Sequence, residues 1–260
     1  MKKISNALWA EFEKIKRSKV LFGTIVVFIF IPLMTSLMMF VARNPELASK
    51  LGIVGMKANI FGTSNWLGYF GVLNQLLGSI SLIGFGFITT WVFASEHTFK
   101  TMKDIIALPI NRSFIVLSKF IIISLWSILL SALVFVVGVG MGFVVGIEQW
   151  STAMFIEFTK SYFGATILTL LLAPPIAFIA GYSRGIIAPL GIVIFTVILA
   201  QFAGLLGLGP YFPWSIPALY AIGNNIPGME LNTSSYVILV LTFLFSYWVT
   251  VSWWKRADHH

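Results

Sequence analysis

No cysteine occurs among the 260 residues, which excludes disulfides, a thiol nucleophile and any cysteine-ligated metal. Charge is scarce as well. Asp, Glu, Lys and Arg together make up 10 % of the chain, where ordinary soluble domains carry about 25 %. The three histidines, His97, His259 and His260, all fall outside the long apolar runs. None of those runs has an ionisable residue in its middle. Chains that move ions or protons unaided usually place such residues at membrane depth, so that class is disfavoured. There is no HExxH motif, no His/Ser or His/Asp constellation at membrane depth and no GxxxxGK(S/T) loop. The sequence therefore offers no hydrolytic centre, no metal site and no P-loop nucleotide site of its own.

What remains is apolar. The chain is 58 % hydrophobic with a mean hydropathy of +0.93. A soluble fold of this size cannot bury that share, so the surplus faces lipid. Six continuous apolar runs cover residues 20–42, 69–94, 114–146, 162–182, 186–206 and 236–254. A bilayer core of about 30 Å takes roughly 20 residues of helix. The runs are continuous rather than alternating, which argues against a β-barrel. Backbone groups in lipid must pair within their own segment, so all six read as helices. The expected fold is an all-α integral membrane protein. Residues 1–19 form an amphipathic helix, 20–254 a six-span domain and 255–260 a tail. The first nineteen residues are polar and basic, and the first apolar run is long enough to span, so no cleavable signal peptide is expected.

Lys and Arg set the orientation. Lys2, Lys3, Lys14, Lys16, Arg17 and Lys19 precede the first run, and Lys100, Lys103, Arg112 and Lys119 lie between runs two and three or just inside the third. Arg184, Lys255 and Arg256 fall on the same side, which thus carries thirteen of the seventeen basic residues. Arg43, Lys50, Lys57 and Lys160 fall on the other. The basic side is expected to be cytoplasmic, with both termini there. The net charge of +8 then reads as a topology signal and as contact with lipid headgroups, not as nucleic-acid binding.

The connections differ in length. Residues 43–68 and 207–235 form the long outer loops, and 183–185 is a minimal inner one. Within the second outer loop, 214–222 is apolar but too short to span, which suits a re-entrant or an interfacial helix. The inner connection between runs two and three reads ASEHTFKTMKDIIALPINR. There Phe99, Met102, Ile105 and Ile106 share one helical face, with Lys100, Lys103 and Asp104 on the other, and Pro109 stops the helix. Such a short helix admits two readings: an interfacial anchor, or an apolar stripe that docks into a partner's groove. Residues 4–17 are similar. Leu8, Phe12 and Ile15, joined by Ile4 and Trp9, form a stripe, and Glu11, Glu13, Lys14, Lys16 and Arg17 occupy the rest. This helix is expected to lie in the headgroup plane.

The segment ASEHTFKTMKDIIALPINR resembles the cytoplasmic coupling loop of type-2 ABC exporter permeases. AEFEKIKRSK, just before the first run, resembles their elbow helix. The six-run layout agrees over nearly the whole chain, most of all with the bacterial permeases tied to bacitracin resistance, lantibiotic immunity and sodium efflux. The resemblance implies a multi-pass subunit of a bacterial plasma membrane with no catalytic residue of its own. A separate cytoplasmic P-loop ATPase would hold ATP and Mg, and a second permease chain, identical or not, would complete the assembly. It implies that Glu96, Thr101, Lys103, Leu108, Pro109 and Arg112 form the ATPase-coupling region, and that Glu13, Lys14, Arg17 and Lys19 belong to the elbow helix. The implied cargo is an amphiphilic peptide antibiotic or a lipid-like compound. Efflux of sodium or small drugs is the alternative within transport, and a scaffold or sensor recruiting a cytoplasmic partner is the alternative outside it. The family has no fixed substrate motif. Glu148 and Glu157, near the outer ends of runs three and four, are either contacts for a cationic peptide or solvated loop charges. Gly138, Gly142 and Gly146, spaced by four, permit close packing within the chain or across a dimer seam. Pro32, Pro174, Pro175 and Pro189 are positions at which spans are expected to kink.

Overall fold

The computed structural model describes residues 2–50, 52, 64–98, 111–183, 185–223 and 227–256, and of residues 2–5 and 45 the backbone alone. Among them lie ten α-helices. They are α1 (Lys2–Lys16), α2 (Lys19–Arg43), α3 (Pro45–Lys50), α4 (Trp66–Thr98), α5 (Arg112–Val144), α6 (Thr152–Leu170), α7 (Ala173–Ser183), α8 (Ile187–Leu205), α9 (Ile216–Ile222) and α10 (Thr233–Arg256). No strand occurs among the described residues. With α6 and α7 taken as one segment, six helical segments are long and apolar enough to cross a bilayer.

Short polar side chains start several of these helices by accepting backbone N–H groups that have no intrahelical partner. Ser18 accepts from Val20 N at the head of α2, and Asn111 from Ser113 N at the head of α5. Asn65 and Asn232 do the same for Gly68 N and Ser235 N, in the first turns of α4 and α10.

Helix α4 is the centre of the bundle. Two thirds of its most apolar window is buried within the chain, against 17 % for α8 and α10. It packs on α2, α5, α6, α7, α8 and α9. Uncharged groups tie the spans together inside. The hydroxyls of Ser36 and Tyr69 meet at 2.7 Å, and Tyr69 donates to Gly138 O at 2.8 Å. Asn74 donates to Ser161 Oγ at 2.8 Å, and Tyr162 to Ser131 O at 2.7 Å. Interhelical hydrogen bonds of this kind are common glue where hydrophobic burial cannot drive association.

The fourth segment departs from the sequence reading. It begins at Thr152, ten residues before the apolar run at 162, and is divided by a turn at Leu171–Leu172. The polar residues Glu157 and Lys160 look like loop in the sequence but stand exposed on the first turns of α6. From Thr152 to Ser183 the segment has 32 residues, or about 48 Å of helix, so its first turns extend past a core of about 30 Å. Pro174 and Pro175 explain the break. They lack the N–H groups that would continue α6, and they sit in the first turn of α7, where that lack is tolerated. Pro189 likewise falls in the first turn of α8.

The short apolar piece of the second outer loop forms α9, which is wedged between α4 and α6. A Cβ built on Gly78 of α4 would stand 2.9 Å from Ala218 Cα, and one on Gly164 of α6 would run into the Tyr220 ring. Each glycine is twelve residues from the start of its helix, about 18 Å along the axis. The segment is therefore inserted into the bundle from the end opposite α1, not laid over it. The glycine triplet of α5 also resolves. Added Cβ atoms would meet Leu73 Cδ1 at 3.3 Å from Gly138, and the Trp66 ring at 2.5 Å from Gly142. Both serve packing within the chain. Gly146 follows the helix end with a φ of +69° and there helps terminate it.

Candidate coupling site

Four charged side chains converge at the end of the bundle where α4 finishes and α5 begins. Lys119 is fully buried. Its Nζ donates to Glu11 Oε1 at 2.7 Å, to Glu96 Oε1 at 2.6 Å and to Val92 O at 3.2 Å. Lys14 Nζ donates to the same Glu96 oxygen at 2.6 Å and lies 3.9 Å from Glu11 Oε2. Glu96 is 1 % exposed, so two carboxylates and two ammonium groups neutralise one another, with Lys14 alone keeping part of its side chain in solvent. Aromatic rings close the site. Lys14 lies 5.8 Å from the Trp91 ring, and Lys119 lies 5.8 Å from Phe93 and 6.0 Å from Trp254, within the range of cation–π attraction.

Local helix periodicity delivers each member. Glu11, Lys14 and Ile15 lie at i, i+3 and i+4 on α1, so they share the face packed on α5. Lys119 follows Ile115 and precedes Ile122 and Ile123, all buried. Val92, Phe93 and Glu96 share the inward face of α4 in the same way. Burial pushes the Lys14 ammonium below the usual lysine value, and neighbouring Lys119 adds to this against the pull of Glu11 and Glu96.

Two sequence expectations change here. Lys119 is not a solvated topology charge but the hub of the cluster. The α1 stripe also turns. Ile15 and the charged pair Glu11 and Lys14 face the bundle, while Trp9 and Phe12 stand 67 % and 49 % exposed. The reason is electrostatic. A buried Lys119 without a counter-charge would cost several kcal/mol, whereas exposed aromatic rings suit a membrane interface. Glu11 and Lys119 were missed as site residues. The available signals were the shared face of Glu11, Lys14 and Ile15, and a lysine lying inside an apolar run.

The remaining expected residues are placed as follows. Arg112, the first residue of α5, donates to Trp254 O at 3.3 Å and Lys255 O at 3.2 Å, bracing the C-terminal carbonyls of α10. Arg112→Ala is expected to loosen the end of α10 at a cost of about 1–2 kcal/mol. Faster amide exchange confined to the last turn of α10 checks this, and unchanged exchange there contradicts it. Thr101, Lys103, Leu108 and Pro109, with the whole amphipathic stretch from Phe99, lie outside the described residues. Glu13 pairs with exposed Arg17 at 3.2 Å across one turn of α1, and Lys19 is exposed. At the opposite end, Glu148 is 2.6 Å from Arg43 Nη2, and Arg43 also donates to Gly146 O. Glu148 thus joins the ends of α2 and α5, while Glu157 is exposed on α6.

The profile of ABC-2 family transporter proteins matches residues 7–200, about three quarters of the chain. The chain belongs to the ABC-2 transporter family. All four charges of the cluster lie inside the matched stretch, as do the first four membrane segments and most of the fifth. The ABC-2 chain is also 25 % identical over 187 residues to the bacitracin transport permease protein BCRB of Bacillus licheniformis, covering 70 % of this chain and 88 % of that one. It is therefore a multi-pass membrane protein and a permease subunit of an ABC transporter.

Proposed function

We propose that this permease exports or removes an amphiphilic peptide antibiotic or a lipid-like compound, driven by ATP hydrolysis on a separate cytoplasmic P-loop ATPase. The observation that carries the reading is the similarity to a permease named for bacitracin transport, joined to a bundle held by uncharged hydrogen bonds. Apolar spans of this kind suit a cargo handled from the bilayer. The basic end, with α1, the end of α4 and the start of α5, faces the cytoplasm under the positive-inside rule. Both termini then lie inside. The connection from Glu96 to Arg112 docks on the ATPase, ATP and Mg are held by that partner, and a second permease chain completes the transporter.

Loss of the gene tests the cargo. Sensitivity to bacitracin or to a lantibiotic is expected to rise several-fold, with sodium tolerance unchanged. Sodium sensitivity alone would support cation efflux instead. Resistance unchanged for every agent, with no ATPase co-purifying, would leave the scaffold reading.

A further inference from the structure

The geometry points to Lys119 as a positioning residue that locks α1 to the base of the coupling loop, so that α1, the end of α4 and the start of α5 move as one rigid piece. The inference rests on the ATP-driven reading above, but the rigid linkage itself is measurable without nucleotide.

Among the described residues, the other charged contacts between membrane segments, Arg43–Glu148 and Arg112 on the carbonyls of α10, lie at the ends of the helices. The described ion pairs away from this site, Arg17–Glu13 and Arg43–Glu148, each have one side chain about four-fifths exposed. Among the described residues, only at the base of α4 and α5 is a lysine buried between two glutamates. Generic adhesion does not require this chemistry, because an apolar contact of the same volume is as stable or more so. Charges supply what apolar packing lacks: one register and one rotation. Lys119 has a single low-cost arrangement, with Glu11 on α1 and Glu96 on α4 both within reach. Sliding α1 by a residue, or rolling it to bury Trp9 and Phe12, takes Glu11 away from Lys119 and Lys14 away from Glu96, leaving Lys119 with Glu96 alone.

The location gives the lock its use. Glu96 lies two residues before the end of α4, and Lys119 lies seven residues into α5. The coupling connection runs between these two helices. A push on that connection reaches Glu96, passes to α1 both directly through Lys14 and by way of Lys119 and Glu11, and Lys119 alone ties α5 into the same piece. From α1 it enters α2, which begins three residues after α1 ends. The elbow helix becomes a lever on the first span rather than a passive anchor.

The chain has no cysteine, so paired spin labels at Ala10→Cys and Thr98→Cys, both at exposed positions, report the α1–α4 distance without background. The permease is purified with its ATPase and measured by pulsed dipolar spectroscopy. The original cluster should give one narrow distance that ATP leaves unchanged. Lys119→Met should broaden it and lower cargo-stimulated ATP hydrolysis about tenfold, while membrane level and ATPase co-purification persist. Should Lys119→Met fail to insert, Glu11→Gln removes the α1 partner of Lys119 while Lys14–Glu96 stays in place, and should broaden the distance to a smaller degree. The combined Glu11→Leu/Lys119→Met replacement, an apolar contact of similar volume, should keep protein level at that of the original chain without restoring coupling. A narrow distance with normal coupling in Lys119→Met and Glu11→Gln would overturn the inference, as would an ATP-dependent change of several ångströms in the original pair. If no ATPase binds the original chain, the transport reading fails, and the distance without nucleotide still decides whether Lys119 fixes α1.

Discussion

Glu96→Ala is expected to cost about 3–5 kcal/mol of stability and to abolish transport, the largest effect of any single substitution considered for this chain. Glu96 Oε1 accepts from both Lys14 and Lys119. Its removal leaves two ammonium groups with Glu11 alone, and one of them is fully buried. The cost comes from the stranded cation rather than from lost attraction, since a buried pair is worth little net against an apolar contact. Lys14→Met should be milder, about 1 kcal/mol, because Lys14 keeps a quarter of its side chain in solvent and exposed pairs contribute little. The pH dependence has a definite sign. Burial depresses the Lys14 value in the folded chain, so between that value and the usual one the unfolded state holds more protons. Stability contributed by Lys14 therefore rises with pH through that window and has no slope below it. Thermal aggregation of detergent-purified variants gives the order. Equal losses for Glu96→Ala and Lys14→Met would contradict the assignment of Lys119 as the buried hub.

Gly78→Leu should be the second most damaging change, acting through shape rather than charge. A Cβ at Gly78 meets the Cα of Ala218 at 2.9 Å, a backbone atom of α9 that cannot swing aside. Overpacking of this kind costs about 1–3 kcal/mol. Here the cheapest relief is expulsion of α9 from between α4 and α6. Leucine at Gly164 should do less, because its new Cβ meets the ring of Tyr220, a side chain able to rotate. Limited proteolysis on the α9 side should cut Gly78→Leu rapidly around residues 207–232 and leave the original chain intact. Equal resistance would show that α9 is not held by this contact.

The sequence reading recovers the membrane segments well because a continuous apolar run has few alternatives in lipid. It misplaces the start of the fourth because Glu157 and Lys160 look like loop residues, although a long helix carries them on its first turns. The apolar piece at 214–222 was visible as too short to span, but its depth depends on Gly78 and Gly164 lying opposite it, which only packing reveals. The cluster was least legible. Glu11 and Lys119 are 108 residues apart, and each separately resembles a common surface charge. Periodicity places Phe12 beside Leu8 and Ile15 as one stripe, yet the helix turns to satisfy Lys119. A single buried cation outweighs the preference of two aromatic rings for burial.

The most direct measurement is the sidedness of Thr98→Cys, introduced into a chain without cysteine and probed with a membrane-impermeant maleimide. The account predicts labelling in inside-out vesicles, none in intact cells, and protection when the ATPase is bound. Labelling of intact cells would place the connection after Glu96 on the outer surface, out of reach of any cytoplasmic ATPase, and would contradict the account.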